Sequence, residues 1–286
     1  MTLDPKESAA FHLTIPNFLV QVERFYAGLI SIADPGFKPD AEPGLGGQLF
    51  LVGELDEAGR ALVVAANIAG AASLAATADE AVQKQAVRDG VVDFLVNSLD
   101  EALRILKNEI RKWETVAVCV AQAPETVKWE MLERGVKPDL VRPVDEFSEH
   151  SPFVSQGATP IPEPQCTSLS VLTWSVADAP AQWLPKLDAI ALDCLPPEAC
   201  SARRWLRLAP RYLGRLAQGT RLLRCDSEFT ADFVEKVLNR MERGEVGASV
   251  EIQVTGQGLP AQYRFSPPQK SKADDPAQSQ GASGLP

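Results

Sequence analysis

The residues with the clearest capacity for chemistry lie at a glycine-containing turn in the first third of the chain. A short apolar run, QLFLVG, is typical of a buried strand and ends at Gly53, and a stretch rich in alanine and valine follows Gly59. Strand, glycine turn and helix open many doubly wound α/β domains, in which the turn binds a dinucleotide pyrophosphate. Three acids lie between the two glycines here: Glu54, Asp56 and Glu57. Because carboxylates repel phosphates, the turn predicts the fold and argues against that ligand.

The hydrophobic pattern after residue 47 alternates strands with helices. The predicted strands are residues 48–53, 72–76, 91–96, 115–121 and 140–141, and the predicted helices are residues 60–68, 80–88, 99–110 and 124–134. Nearly continuous apolar strands separated by helices are typical of a parallel sheet covered on both faces. We therefore predict an α/β fold with a Rossmann-like parallel sheet domain at residues 45–160. An amino-terminal helix and a linker, residues 1–44, precede it.

A second, smaller α/β domain is predicted at residues 168–265. Its predicted strands are residues 168–176, 220–225 and 248–254. Its predicted helices are residues 180–195, 201–216 and 227–241; Pro210 is expected to kink or divide the second, and Ser227 is expected to cap the third. The proline-rich residues 142–167 are interpreted as a functional loop or a linker. Residues 266–286 contain almost no apolar side chains and are predicted to be disordered.

Composition limits the classes of function. The chain has 286 residues and a net charge of −10, which disfavours nucleic acid and anionic membranes as partners. The first residues, MTLDPKESAA, lack the features of a secretory signal, so we predict a cytoplasmic protein. Five cysteines without a C-x-x-C pair, together with two histidines, predict no metal site.

Three segments together resemble the urocanase (urocanate hydratase) family. QLFLVGELDEAGRALVVAANIAG is similar to the family's strand, its GLGGMGGAQ turn and the following A-x-x-AG helix. DEAVQKQAVRDGVVDFLVNSLDEALRIL resembles the family segment that leads into DLDEAL, and DEFSEHSP resembles its ligand loop, DQTSxHxP. A weaker likeness links RRWLRLA, QGTRLLRCD and NRMERGEV to the family's RWLDMA, QGLPARICWLG and NEMVRSGEL. The likeness covers about residues 45–255.

The resemblance implies a fold, a cofactor and a set of contacts. Members of the family use tightly bound NAD as an electrophile that takes the imidazole of urocanate covalently before water is added. The resemblance implies a homodimer and these cofactor-binding residues: Gly53, Gly59, Gln122, Ala123, Asp145, Ser148 and His150. As a lone loop histidine, His150 is also open to a purely structural role.

Several positions depart from the family pattern. The acid that would hold the adenosine ribose corresponds to Thr77, and a nearby arginine corresponds to Val82. The family's catalytic cysteine corresponds to Leu223, and Cys225 lies two residues on, ~6–7 Å along a strand. Cys225 is therefore the single candidate nucleophile, although a half-buried strand cysteine is the interpretation we favour. We expect the hydratase chemistry to be lost.

An arginine stripe is a separate feature of the predicted helix at residues 201–216. Its members repeat at intervals of three and four residues: Arg204, Arg207, Arg211 and Arg215. In a chain of net charge −10, pairing with the protein's own acids is favoured over binding an anionic ligand or partner.

Three functions remain open at this point. The leading hypothesis is a urocanase relative without hydratase activity that binds a small ligand or nucleotide between the domains, or regulates through it. The alternative is an NAD-dependent hydro-lyase of altered substrate range that recruits Cys225 or His150. The third is a structural or interaction protein with an empty cleft.

Overall fold

The computed structural model describes residues 17–33, 44–142, 151–162, 169–217, 219–256 and 260–266. Its strands are β1 (Leu49–Glu54), β2 (Ala72–Ala76), β3 (Phe94–Val96), β4 (Val116–Val120), β5 (Leu140–Val141), β6 (Thr159–Pro160), β7 (Ser170–Val176), β8 (Thr220–Cys225), β9 (Val250–Thr255) and β10 (Ala261–Phe265). Its α-helices are α1 (Asn17–Ser31), α2 (Glu57–Ala69), α3 (Glu80–Arg88), α4 (Leu99–Lys112), α5 (Pro124–Glu133), α6 (Pro152–Ser155), α7 (Pro180–Cys194), α8 (Cys200–Leu213) and α9 (Ser227–Glu242).

The first sheet is parallel throughout, and its order among the described strands is β3-β4-β2-β1-β5-β6. Alternate residues of β1 face opposite layers: Phe50 and Val52 pack in the core that contains α1 and α2. Leu49 and Leu51 pack in a second core, with α4 and α5. The prediction of a Rossmann-like parallel sheet covered on both faces is therefore confirmed.

Side-chain caps set where the helices of this sheet begin. The side chains of Asp56, Asp79 and Ser98 accept hydrogen bonds from the first turns of α2, α3 and α4. Such caps satisfy amide groups that have no partner within the helix. α2 ends at Gly70, whose φ of 95° is the left-handed conformation that favours glycine.

The second sheet is antiparallel, and its order among the described strands is β10-β9-β7-β8. Helices α7, α8 and α9 supply its buried apolar side chains. Pro210 does not end α8, which continues to Leu213 and passes into a 3₁₀ turn, Gly214–Ala217. The cap of α9 is Asp226, whose Oδ1 accepts the Phe229 amide at 2.8 Å, so the prediction of Ser227 as the cap was wrong.

The two sheets are joined by α1 and α8. Helix α1 packs against α2, and its Glu23 accepts a bidentate pair of hydrogen bonds from Arg224 on β8. The Tyr26 hydroxyl donates to the Ser201 carbonyl at 2.8 Å. One continuous apolar core contains residues of both sheets. The boundaries at residues 45–160 and 168–265 stay a prediction, because α1 belongs to both neighbourhoods.

Among the helices of the described residues, none has the length and apolar character needed to cross a membrane.

Candidate functional site

The parallel sheet has a switch point between β1 and β5, which are neighbours. The helix after β1, α2, packs on one face of the sheet, whereas Phe153 of α6, after β5, packs on the other. Connections that leave neighbouring strands in opposite directions open a crevice at the carboxyl ends of those strands, which is where such sheets bind ligands.

A pocket of about 310 Å³ lies at this edge of the sheet. Its floor contains small residues at the strand ends: Gly53, Ala75 and Ala76. Its charged residues are Glu54, Glu125, Lys128 and Arg142. The volume is at the lower end of the ~300–1,000 Å³ range of ligand pockets. The crevice therefore combines small residues at the strand ends with charged residues of both signs.

The amino terminus of α2 is satisfied by the protein's own carboxylate. Asp56 Oδ1 accepts the Gly59 amide at 2.6 Å. From the other side of the switch point, Arg142 donates from its two terminal nitrogens to the two Asp56 oxygens, at 3.1 and 3.0 Å. The side chains of Arg142 and Asp56 are 33% and 41% exposed, and an ion pair this exposed contributes ~0–1 kcal/mol. A carboxylate thus holds the position where a helix amino terminus binds phosphate.

Gly53 and Gly59 are each suited to the turn for a different structural reason. Gly53 has φ 76°, and the register of β1 against β2 shifts between Leu51 and Gly53. A Cβ atom on Gly59 would lie 2.0 Å from the Glu54 carbonyl oxygen. Gly59 therefore permits α2 to start against the end of β1, the packing role of the last glycine in a dinucleotide fingerprint.

The fold and the crevice can now be compared with known families. Residues 26–162 match the family model described as the urocanase Rossmann-like domain. This stretch is similar to the Rossmann-like domain of urocanase. The match supports a relationship between the chain and the urocanase family. It includes the last six residues of α1 and extends through β6.

The urocanase-like Rossmann domain of this chain does not fit a dinucleotide at the usual position. Asp56 and Arg142 fill the place of the pyrophosphate. Thr77, at the place of the ribose-binding acid, is buried; its Oγ1 accepts the Asp79 amide and its carbonyl accepts Gln83 Nε2. A threonine engaged in this way offers no carboxylate to the ribose hydroxyls. Val82, at the place of the arginine, supplies no charge.

The other predicted contacts of the urocanase-like Rossmann domain are only partly brought together. Gly53 lines the crevice and Gly59 lies beside it at the start of α2. Ala123 is the residue before α5, next to the crevice residue Pro124. Gln122 does not line the crevice and donates through Nε2 to the Asn97 carbonyl at 2.8 Å. Asp145, Ser148 and His150 lie outside the described residues.

Sequence reasoning missed Arg142 and Lys128. Arg142 directly follows the short apolar β5, and Lys128 lies one turn into α5. A cation immediately after a predicted strand of the parallel sheet was the available signal, because such positions meet at the carboxyl edge.

Leu223 and Cys225 belong to β8 of the second sheet, outside the urocanase-like Rossmann domain and its crevice. Both are buried, and the Cys225 sulfur lies 3.4 Å from the Thr230 hydroxyl oxygen. Burial raises the pKa of the Cys225 thiol to about 11. A protonated, enclosed thiol is a poor nucleophile, so the interpretation of Cys225 as a strand residue is the one that its surroundings support.

Alkylation tests the state of Cys225. We expect native protein at pH 8 to leave Cys225 unmodified by iodoacetamide over hours, because little thiolate forms below its raised pKa. Peptide mapping by mass spectrometry reports the modified fraction, and the unfolded protein serves as the control in which Cys225 reacts. Rapid alkylation of native Cys225 at neutral pH would contradict this assignment.

The arginine stripe on α8 does not follow the expected pairing throughout. Arg204 Nε donates to the Ile68 carbonyl at 2.8 Å, so this arginine binds the end of α2 in the urocanase-like Rossmann domain and not an acid. Its guanidinium packs over Gly44 and Gly70, where a Cβ atom would lie 3.1 and 2.7 Å away. The Arg211 guanidinium lies 5.3 Å from the Tyr212 ring centre. Arg204 therefore helps to join the two sheets.

In the described part of the chain, no group of three or more His, Cys, Asp or Glu side chains could hold a metal ion.

Proposed function

We propose that this chain is a small-ligand-binding relative of the urocanase family without NAD-dependent hydratase activity. The observation that carries the proposal is the Asp56 carboxylate at the amino terminus of α2, bound by the Gly59 amide and by Arg142. A dinucleotide would have to remove this carboxylate and would then find Thr77 in place of an acid. The site of catalysis expected from the family resemblance, near Leu223, is a buried apolar position.

The crevice beside Asp56 supports a ligand smaller than a dinucleotide. It has a volume of about 310 Å³ at the strand ends, and the described residues that line it lie between Leu51 and Arg142. Lys128 and Arg142 can orient an anionic group, while Gly53, Ala75 and Ala76 leave room for apolar or planar atoms close to the strand ends. If a partner recognises the ligand-bound form of the protein, the protein has a regulatory role.

The cofactor half of the proposal is tested by thermal unfolding. We expect no rise in Tm on addition of NAD, whereas a ligand present at 100 times its Kd adds ~2.7 kcal/mol to the free energy of unfolding. We also expect urocanate absorbance to remain constant when urocanate is mixed with the protein. NAD released on denaturation of the purified protein, or loss of urocanate absorbance, would favour the NAD-dependent hydro-lyase instead.

The ligand half is tested by screening carboxylates, phosphate monoesters, amino acids and nucleosides for a rise in Tm. We expect at least one compound to bind wild-type protein and to perturb the amide resonances of Gly53 and Lys128. The matched control is Ala76→Leu, because a larger side chain at the floor of the crevice should abolish that shift. A protein that binds none of these compounds would instead fit the hypothesis of an interaction protein with an empty cleft.

A further inference from the structure

We infer that Asp56 is an internal anion that an external ligand displaces, so that the crevice selects molecules carrying one carboxylate or one phosphate group. This inference rests on the proposed function, because it names the chemical class of ligand for the same crevice. It makes the pair of Asp56 and Arg142 an exchange site and not a fixed structural contact.

The Asp56–Arg142 pair has the geometry with which an arginine binds an anionic ligand. Arg142 presents its two terminal nitrogens to the two Asp56 oxygens, at 3.1 and 3.0 Å. This parallel arrangement is the one by which arginine binds carboxylate and phosphate groups of ligands. Arg142 also lines the crevice, so an anion entering there meets the same guanidinium that Asp56 occupies.

The pair is built so that it can open. Its side chains are 33% and 41% exposed, whereas Arg224 and Glu23, which join α1 to β8, are 22% and 8% exposed. Water can therefore replace either partner of the Asp56–Arg142 pair during exchange. Asp56 keeps a second role when it releases Arg142, because its Oδ1 still accepts the Gly59 amide as the cap of α2. Opening the pair leaves the helix start intact.

The crevice is also lined by Lys128, Glu54 and Glu125, whose charges determine which ligand charge fits. Lys128 lines the crevice from α5, and its partner Glu125 is 70% exposed, at 3.2 Å. Lys128 and Arg142 line the same crevice, so both cations attract an anionic group that enters it. Glu54 and Glu125 on the same rim repel ligands with several negative groups. One carboxylate or one phosphate matches this balance better than a diphosphate.

Calorimetric titration of the full chain with inorganic phosphate and with acetate tests the exchange. Asp56→Asn keeps a good helix cap but removes the competing charge, so we expect it to bind one of these anions about tenfold more tightly than wild type. We expect Arg142→Gln to lose that binding. Asp89→Asn, which alters the Arg60–Asp89 pair away from the crevice, is the matched control and should behave as wild type. Preference for phosphate or for acetate identifies the source of the anionic group.

Each outcome separates this inference from the function on which it rests. Equal anion affinity in wild type and Asp56→Asn, binding that survives Arg142→Gln, or no anion binding by any variant overturns the exchange. If a screened compound still binds the wild-type crevice in that case, the proposed function stands alone. Tighter anion binding by Asp56→Asn, in a protein whose wild-type form binds no screened compound, supports the exchange while the proposed function fails.

Discussion

Replacement of Gly59 by alanine is expected to destabilise the protein by about 3 kcal/mol, at the upper end of the usual range for overpacking. The added Cβ would lie 2.0 Å from the Glu54 carbonyl oxygen and 3.0 Å from Asp56 Oδ1. Both neighbours belong to the turn itself, and the nearer one is backbone, so the first turn of α2 must move away from β1. The measurement is the free energy of unfolding from denaturant titration.

The sign of this result is informative because local propensity predicts the opposite. Alanine stabilises a helix by ~1 kcal/mol relative to glycine, so Gly59→Ala would raise stability if α2 were not packed against the end of β1. Gly135→Ala is the contrasting control: Gly135 has a φ of 64°, unlike the helical Gly59, and no atom lies within 4 Å of the added Cβ. We expect Gly135→Ala to lower the free energy of unfolding by only ~1–2 kcal/mol, through backbone strain. A stabilised Gly59→Ala protein would refute the close approach of strand and helix.

Replacement of Asp188 by alanine is expected to lower the free energy of unfolding by ~3–5 kcal/mol, because it leaves buried donors without an acceptor. Asp188 on α7 accepts the Trp174 indole N–H at 3.1 Å and Arg221 Nε at 2.9 Å. Trp174 is fully buried, and the Arg221 side chain is 17% exposed. Thermal and denaturant unfolding measure the loss. Glu80→Ala, which breaks the exposed pair with Lys84, is the control and should lower stability far less.

The same residue gives a pH dependence whose sign can be derived. Burial raises the pKa of Asp188 above its ordinary value, although Arg221 and Trp174 act in the opposite direction. The folded protein therefore binds this proton more tightly than the unfolded chain. The contribution of Asp188 to stability falls as the pH rises from the unfolded pKa through the folded pKa. Asp188→Asn should remove that decrease from the pH profile of unfolding, and a profile that keeps it unchanged would contradict the assignment.

The parallel sheet was predictable because its signal is local. The predicted strand at residues 72–76 matches β2, and α4 begins after Ser98, the residue predicted as its cap. β3 is shorter than predicted, since Val91 closes the end of α3 through its amide and is buried without joining the sheet. Hydrophobic periodicity indicates which residues are buried. Val91 is a residue that is buried but does not pair with a neighbouring strand.

The parts that were missed depend on long-range contacts. β6 has only two residues, Thr159–Pro160, and pairs with β5 without a hydrophobic pattern of its own. β10 is an outer strand in which Tyr263 is 37% exposed, so no buried face reveals it in the sequence. The antiparallel order of the second sheet follows from pairing between distant segments, which local propensity does not encode.

The candidate site was likewise predictable from sequence only in part. The acids of the turn were recognised from sequence as unfavourable for phosphate, and the structure gives one of them, Asp56, a partner. That partner, Arg142, lies 86 residues away along the chain. The pairing is a consequence of the neighbouring positions of β1 and β5, so it could be found only after the strand order was known.

The contacts that join the two sheets have a consequence for how any ligand is recognised. Glu23 with Arg224, Tyr26 with Ser201 and Arg204 with Ile68 all cross between them, and one apolar core continues beneath. A clamshell closure, in which two lobes swing together around a guest, would have to break these contacts. The described residues that line the crevice all belong to the parallel layer, so the proposed ligand needs no such movement to bind. We therefore expect recognition by a preformed pocket in which Arg142 exchanges Asp56 for the ligand.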